Sequence, residues 1–234
     1  MQARELTRWP VPGGLLDRMG LPPDEIEARS RRAARELVGN RWHGDEAELA
    51  ASLLYASGDP GLVDDLRLGG APVASARSSL DAGAPLLVDV TMVRAGVRLP
   101  AGRRLAVAIR VPGAENLARR GGITRASAGI KKAWDDFGAD GVVAIGNAPS
   151  ALLAALDLAQ SCRPPACLIA TCPGFNLAAE AKDALFESGV PYVAVAGSRG
   201  GSGLAAAALN FLLEASPPPT KGKVGWGFRG RESF

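Results

Sequence analysis

The chain has 234 residues, 47% of them hydrophobic and 22% charged, with 27 Lys and Arg against 24 Asp and Glu. That length can bury a full core, and the composition is neither disordered nor collagen-like despite 29 Gly and 17 Pro. The net charge of +3 resides in residues 217–234, where Lys221, Lys223, Arg229 and Arg231 face only Glu232, so the body is neutral; with 5% aromatics this argues against a nucleic-acid-binding role.

The first residues, MQARELTRWPVPGG, lack the apolar run of a signal peptide. From Pro22 to about Gly39, acids in the first turn and spaced apolar residues predict an amphipathic helix. Further helices are expected over 45–56 and 71–82. Thereafter short β-branched runs at 85–93, 104–111, 141–146, 166–171 and 191–197 alternate with helical stretches at 124–137, 148–160, 176–188 and 201–214. Continuous apolar strands alternating with helices imply a parallel sheet covered on both faces. The expected fold is therefore a three-layer α/β/α domain over residues 23–215, with a doubly wound, five-stranded, flavodoxin-like sheet and N-terminal helices. Residues 1–22 are read as an N-terminal extension and 216–234 as a basic Pro/Gly-rich tail, flexible and solvated.

The most apolar helical stretch, Ala148 to Ala159, is too short to span a bilayer, so no membrane partner is expected. Cys162, Cys167 and Cys172 are odd in number and five apart, which suits free thiols in a reducing cytoplasm. The spacing is not CxxC and the sole histidine, His43, is remote in sequence, so neither a metal nor another cofactor is expected.

Three polar clusters fall at strand ends, where such a fold places ligands: Gly146-Asn147-Ala148-Pro149-Ser150, Thr171-Cys172-Pro173-Gly174-Phe175, and Gly197-Ser198-Arg199-Gly200-Gly201-Ser202-Gly203. Glycines admit a ligand close to the backbone, and Arg199 adds a charge suited to a carboxylate or phosphate. Each cluster alone reads as a tight turn; three at corresponding ends point to one pocket. The last cluster is not a P-loop, since no Lys-Ser/Thr follows it, nor a first-strand GxGxxG.

These segments resemble the precorrin-8X methylmutase (precorrin isomerase) family of cobalamin biosynthesis. The resemblance runs from about Ile26 to Leu213 and is densest in GAPLLVDVTMVRAGV (83–97), VVAIGNAPSAL (142–152), CPGFNLAAEAKDAL (172–185) and GSRGGSGLAAAALNFL (197–212), with Thr124-Arg125 similar to the family's Thr-Arg-Ser. It implies a homodimer with its pocket near the subunit interface, and an isomerase that moves a methyl group from C11 to C12 of a corrinoid precursor. Such a substrate is a flat, partly apolar macrocycle bearing many carboxylates. Arg125 and Arg199 are then the expected carboxylate partners, and Phe175 and Met92 would touch the ring. Thr124, Asn147, Ser150, Gly174, Glu180, Gly200, Gly201 and Ser202 complete the expected pocket, and Asp89 and Glu180 are further proton carriers to consider. Asp89 has an alternative role in tying down a neighbouring loop.

One segment departs from the family pattern. Where the family has a catalytic histidine and a substrate-binding arginine, the stretch Ala51-Ser52-Leu53-Leu54-Tyr55 carries Tyr55 and Ser52; a family serine is matched by Ser30. Histidine titrates near about pH 6.5 and a phenol near about 10, so the exchange keeps a hydrogen-bond donor but loses a proton reservoir. A methyl shift of sigmatropic kind needs little covalent help, and shape with one donor suffices at reduced rate. His43, in a loop before the second helix, reads first as a surface residue and secondarily as a replacement acid–base group. The leading reading is thus a methylmutase-like isomerase, impaired in rate. The rivals are a non-catalytic corrinoid or tetrapyrrole carrier or regulator, and an isomerase acting on another anionic ring.

Overall fold

The computed structural model describes Gly20 and residues 22–214. Most of the expected N-terminal extension and all of the basic tail lie outside the described residues. In chain order the elements are α1 (Pro23–Val38), α2 (Gly44–Ser57), α3 (Leu62–Asp65), β1 (Leu66–Gly69), α4 (Pro72–Asp81), β2 (Leu86–Val88), α5 (Thr91–Gly96), β3 (Leu105–Val107), α6 (Ala114–Gly121), α7 (Arg125–Ala133), β4 (Val142–Ile145), α8 (Pro149–Ser161), β5 (Cys167–Ala170), α9 (Ala178–Phe186), β6 (Tyr192–Val195) and α10 (Ser202–Leu213).

The sheet has six strands in the order β1-β6-β5-β4-β2-β3. The five parallel strands run β3-β2-β4-β5-β6, the doubly wound order anticipated from the alternating pattern. Their side chains divide by the two-residue period of a strand. Leu86, Val88, Val142, Ala144, Cys167, Ile169, Val193 and Val195 enter a core beneath α1, α2, α4, α5 and α10. Leu87, Val143, Ile145, Leu168, Ala170 and Ala194 enter a second core beneath α7, α8 and α9. Two buried faces leave no position for a polar residue, which is why these strands read as unbroken apolar runs.

Three details correct the expected elements. β1 is a sixth strand, antiparallel to β6, with Leu66 opposite Val195 and Gly69 opposite Tyr192. It covers an edge that would otherwise expose a row of unpaired amides. The run at 85–93 is strand only to Val88, after which Thr91–Gly96 turns into a helix; the run at 104–111 likewise passes from Leu105–Val107 into a 3₁₀ turn at Ala108–Arg110. The helix at 124–137 ends as α7 and continues as a π turn at Trp134–Gly138, where the Trp134 indole, 1% exposed, donates to Arg163 O at 3.3 Å.

Candidate functional site

The carboxyl ends of β2, β4, β5 and β6 turn into the three polar clusters and the start of α5, on one rim of the sheet. Asp89, one residue beyond β2, organises the rim. It is 0% exposed and both its oxygens accept backbone N–H groups: Oδ1 from Val90 (2.9 Å) and Gly146 (3.1 Å), Oδ2 from Asn147 (2.8 Å) and Ala148 (2.9 Å). Burial pushes its carboxyl above the ordinary value of 3.8, against the opposing pull of the four amides. With both oxygens spent inside the protein, Asp89 is placed to hold the β4–α8 turn, the loop-tying role, in correction of its reading as a proton carrier in the substrate pocket. Ser202 is also turned inward, 6% exposed, its hydroxyl donating to Gly146 O at 3.4 Å.

The β4–α8 turn meets the start of α7. Thr124 caps α7, its hydroxyl accepting from Ser127 N at 3.1 Å and bonding Ser150 Oγ at 2.8 Å, while Ser127 Oγ donates to Ser150 O at 2.8 Å. Arg125 follows the cap, exposed and with no ion-pair partner among the described residues. Asn147 is exposed above the same turn.

The β6–α10 loop closes over β5. Gly200, at φ 145°, lies so close to the β5 end that a Cβ would sit 2.0 Å from Thr171 O, a position open only to glycine. Gly201 N donates to Thr171 O at 2.6 Å and Thr171 Oγ1 donates to Gly201 O at 3.0 Å. Arg199 leaves this loop in the other direction: its guanidinium pairs with Asp59 and, at 2.7 Å, with Asp65 Oδ2, and donates to Gly61 O at 3.3 Å. Arg199 therefore fastens the loop to the α2–α3 turn, a partnership that the sequence reading of a carboxylate-binding arginine did not include.

Between that fastening and the glycines opens a cleft of about 430 Å³, lined by Ala56, Ser57, Asp59, Pro173, Gly200 and Gly203 among others. Ser52 and Tyr55 lie one turn apart on α2, just before the cleft-lining Ala56. Ser52 is half-buried; Tyr55 is exposed beneath the Arg31 guanidinium of α1, whose Cζ is 4.5 Å from the ring centroid. Ser30, the neighbour of Arg31, is exposed and donates to Ile26 O at 2.8 Å. His43 is exposed at the N-cap of α2, the opposite end of that helix from Tyr55. Met92, Phe175 and Leu177 stand out from the rim with 69%, 101% and 49% exposure, and Glu180 is exposed in the first turn of α9.

The arrangement includes residues that sequence reasoning missed. Lys182 of α9 is fully buried and donates to Gly197 O at 2.7 Å and Arg199 O at 2.9 Å. Its signal was available: it falls on the helix face of Ala178 and Leu185, where a lysine is out of place unless partnered. Ser127 was visible as the third residue after a capping threonine. Asp59, Asp65 and Arg31 carried no signal, since their partners lie on other elements.

A profile of the precorrin-8X methylmutase family matches residues 25–215. The chain belongs to the precorrin-8X methylmutase family. Relatives include the precorrin-8X methylmutases of a Sinorhizobium species, 42% identical over 74% of this chain and 85% of that one, and of Pseudomonas aeruginosa, 41% identical over 77% and 88%. A cobalt-precorrin-8 methylmutase from Methanocaldococcus jannaschii is 31% identical over 78% of this chain and 87% of its own length. Among solved structures, the Thermus thermophilus precorrin-8X methylmutase matches with a TM-score of 0.69 and 30% identity, covering 80% of this chain and 94% of that one. A precorrin-8X methylmutase-related protein matches with a TM-score of 0.72 and 28% identity, covering 77% and 97%. The methylmutase family model thus takes in every element from α1 to α10 apart from the first two residues of α1, the candidate rim included.

Proposed function

We propose that this chain is the corrin-pathway isomerase that moves a methyl group from C11 to C12 of precorrin-8X, acting at the sheet rim described above. The observation that carries the reading is the match of residues 25–215 to the methylmutase family, which spans all three strand-end clusters. The reaction is intramolecular: the C11–methyl bond breaks, the C12–methyl bond forms, and the ring double bonds reorganise between them. The protein has to hold the macrocycle in one conformation, keep its carboxylates paired and present a hydrogen-bond donor to the ring.

The residues suit those tasks. Arg125 offers an exposed guanidinium fork for a carboxylate, and Asn147, Thr124 and Ser150 are polar neighbours at the adjoining helix starts. Met92 and Phe175 supply apolar surface for the ring, with Gly174 admitting it close to the backbone. Tyr55 supplies the donor, and Arg31 over its ring brings a cation to the helix face on which Ser52 carries none. A homodimer with the pocket near its interface, and a cytoplasmic location, belong to the same reading; no helix among the described residues is long and apolar enough to cross a membrane.

Purified protein mixed with precorrin-8X, or with its cobalt form, should develop the absorbance of the corrin chromophore. Tight binding without that change would transfer the reading to a corrinoid carrier.

A further inference from the structure

We propose that Lys182 is a positioning residue for substrate binding: its ammonium pins two carbonyls of the β6–α10 loop and so turns the Ser198 and Gly200 N–H groups outward as a seat for one substrate carboxylate. This rests on the isomerase reading above. Lys182 is fully buried, and Nζ donates to Gly197 O at 2.7 Å and Arg199 O at 2.9 Å. A trans peptide unit is planar, with its N–H opposed to its C=O. Drawing the Gly197 and Arg199 carbonyls onto Lys182 therefore points the N–H groups of Ser198 and Gly200 the other way. Neither amide has an acceptor among the described residues, and Gly200 lines the cleft.

Three further bonds keep the loop from relaxing out of this shape. Gly174 N donates to Ser198 O at 3.0 Å, Gly201 N to Thr171 O at 2.6 Å, and Thr171 Oγ1 to Gly201 O at 3.0 Å. The ammonium also polarises both peptide units, enlarging the positive charge on the outward hydrogens. The charged and titratable groups around it are Cys172, Asp65 and Asp183, and desolvation holds its pKa below the ordinary lysine value. Because the Arg199 guanidinium is engaged by Asp59 and Asp65, the loop addresses an anion through its backbone.

The test compares native protein with Lys182→Met and Lys182→Arg in turnover of precorrin-8X and in binding of the methyl-shifted product, with Ser198 and Gly200 amides followed by 15N NMR. Lys182→Met should raise KM and product Kd by about tenfold or more while kcat moves by less than about threefold, and Lys182→Arg should recover most of the loss. In native protein, saturating product should move the Gly200 and Ser198 amide protons downfield. A Lys182→Met protein with KM within about twofold of native, or one losing kcat alone, overturns the proposal. If neither variant folds, unmoved Ser198 and Gly200 resonances in product-saturated native protein overturn it instead. Native protein that neither binds nor converts the corrinoid overturns the isomerase reading, and this inference with it.

Discussion

Replacing Asp89 by asparagine tests how the rim is held together. The carboxylate accepts four amides, two on each oxygen. Asparagine keeps one acceptor oxygen, so whichever way its amide turns, two backbone N–H groups face an NH2. Each lost bond to a charged acceptor costs about 1.5–3 kcal/mol, roughly 3–6 kcal/mol for the pair. Removing a buried charge offsets part of this, leaving a net loss of about 2–4 kcal/mol. For a domain of this size that lowers Tm by about 4–16 °C. Thermal unfolding of native and Asp89→Asn protein by circular dichroism measures it, with precorrin-8X turnover alongside, which should fall because the Asn147–Ser150 turn loses its anchor. The sign with pH also follows. The folded-state pKa of Asp89 lies above its ordinary 3.8, so the stability it contributes is fully present below 3.8 and is lost as pH rises through the folded value. A variant within about 2 °C of native with undiminished turnover would refute the reasoning.

Gly200→Ala should cost about 2–4 kcal/mol and abolish turnover, since its Cβ would meet Thr171 O at 2.0 Å; denaturant titration and the chromophore assay check both. Arg199→Gln should change stability by less than about 1 kcal/mol, because its ion pairs are half-exposed, yet raise KM as the α2–α3 turn is freed from the loop. Ser52→Arg combined with Tyr55→His should raise turnover by about tenfold or more, and a silent double variant would place the donor elsewhere. Burial pushes the thiols of Cys167 and Cys172 up to about 12 and about 11, whereas Cys162 is exposed, so an aromatic disulfide reagent at mildly alkaline pH should titrate one thiol in folded protein and three in denaturant.

The parallel sheet was legible because burial on both faces writes itself as continuous apolar runs, and the glycine clusters because close approach at Gly146 and Gly200 and positive φ at Gly174, Gly197 and Gly201 favour glycine there. β1 was not, for it is four residues long, carries Arg67 on its open side and exists only because β6 offers an edge. The same divide runs through the site. Thr124 and Ser150 could be placed from local signals. The Asp59–Arg199–Asp65 fastening and the Arg31–Tyr55 stack join residues far apart in the chain, and a single sequence does not record which distant charge a side chain will meet. Asp89 shows the remaining difficulty: an acid within an apolar strand reads equally as a reactive group or as an acceptor for stray amides, and only its four partners separate the two.

The fastening of Arg199 to Asp59 joins residues 140 positions apart, and the cleft is walled by residues 56–62 on one side and 199–204 on the other. During synthesis the first wall leaves the ribosome long before the second has been translated. The nascent chain therefore has no cleft to offer a tetrapyrrole until β6 and the loop beyond it have been added. With the cleft as the proposed corrinoid seat, ligand capture becomes a property of finished molecules, and a fragment ending before β6 should be as blind to corrinoid as an unfolded chain.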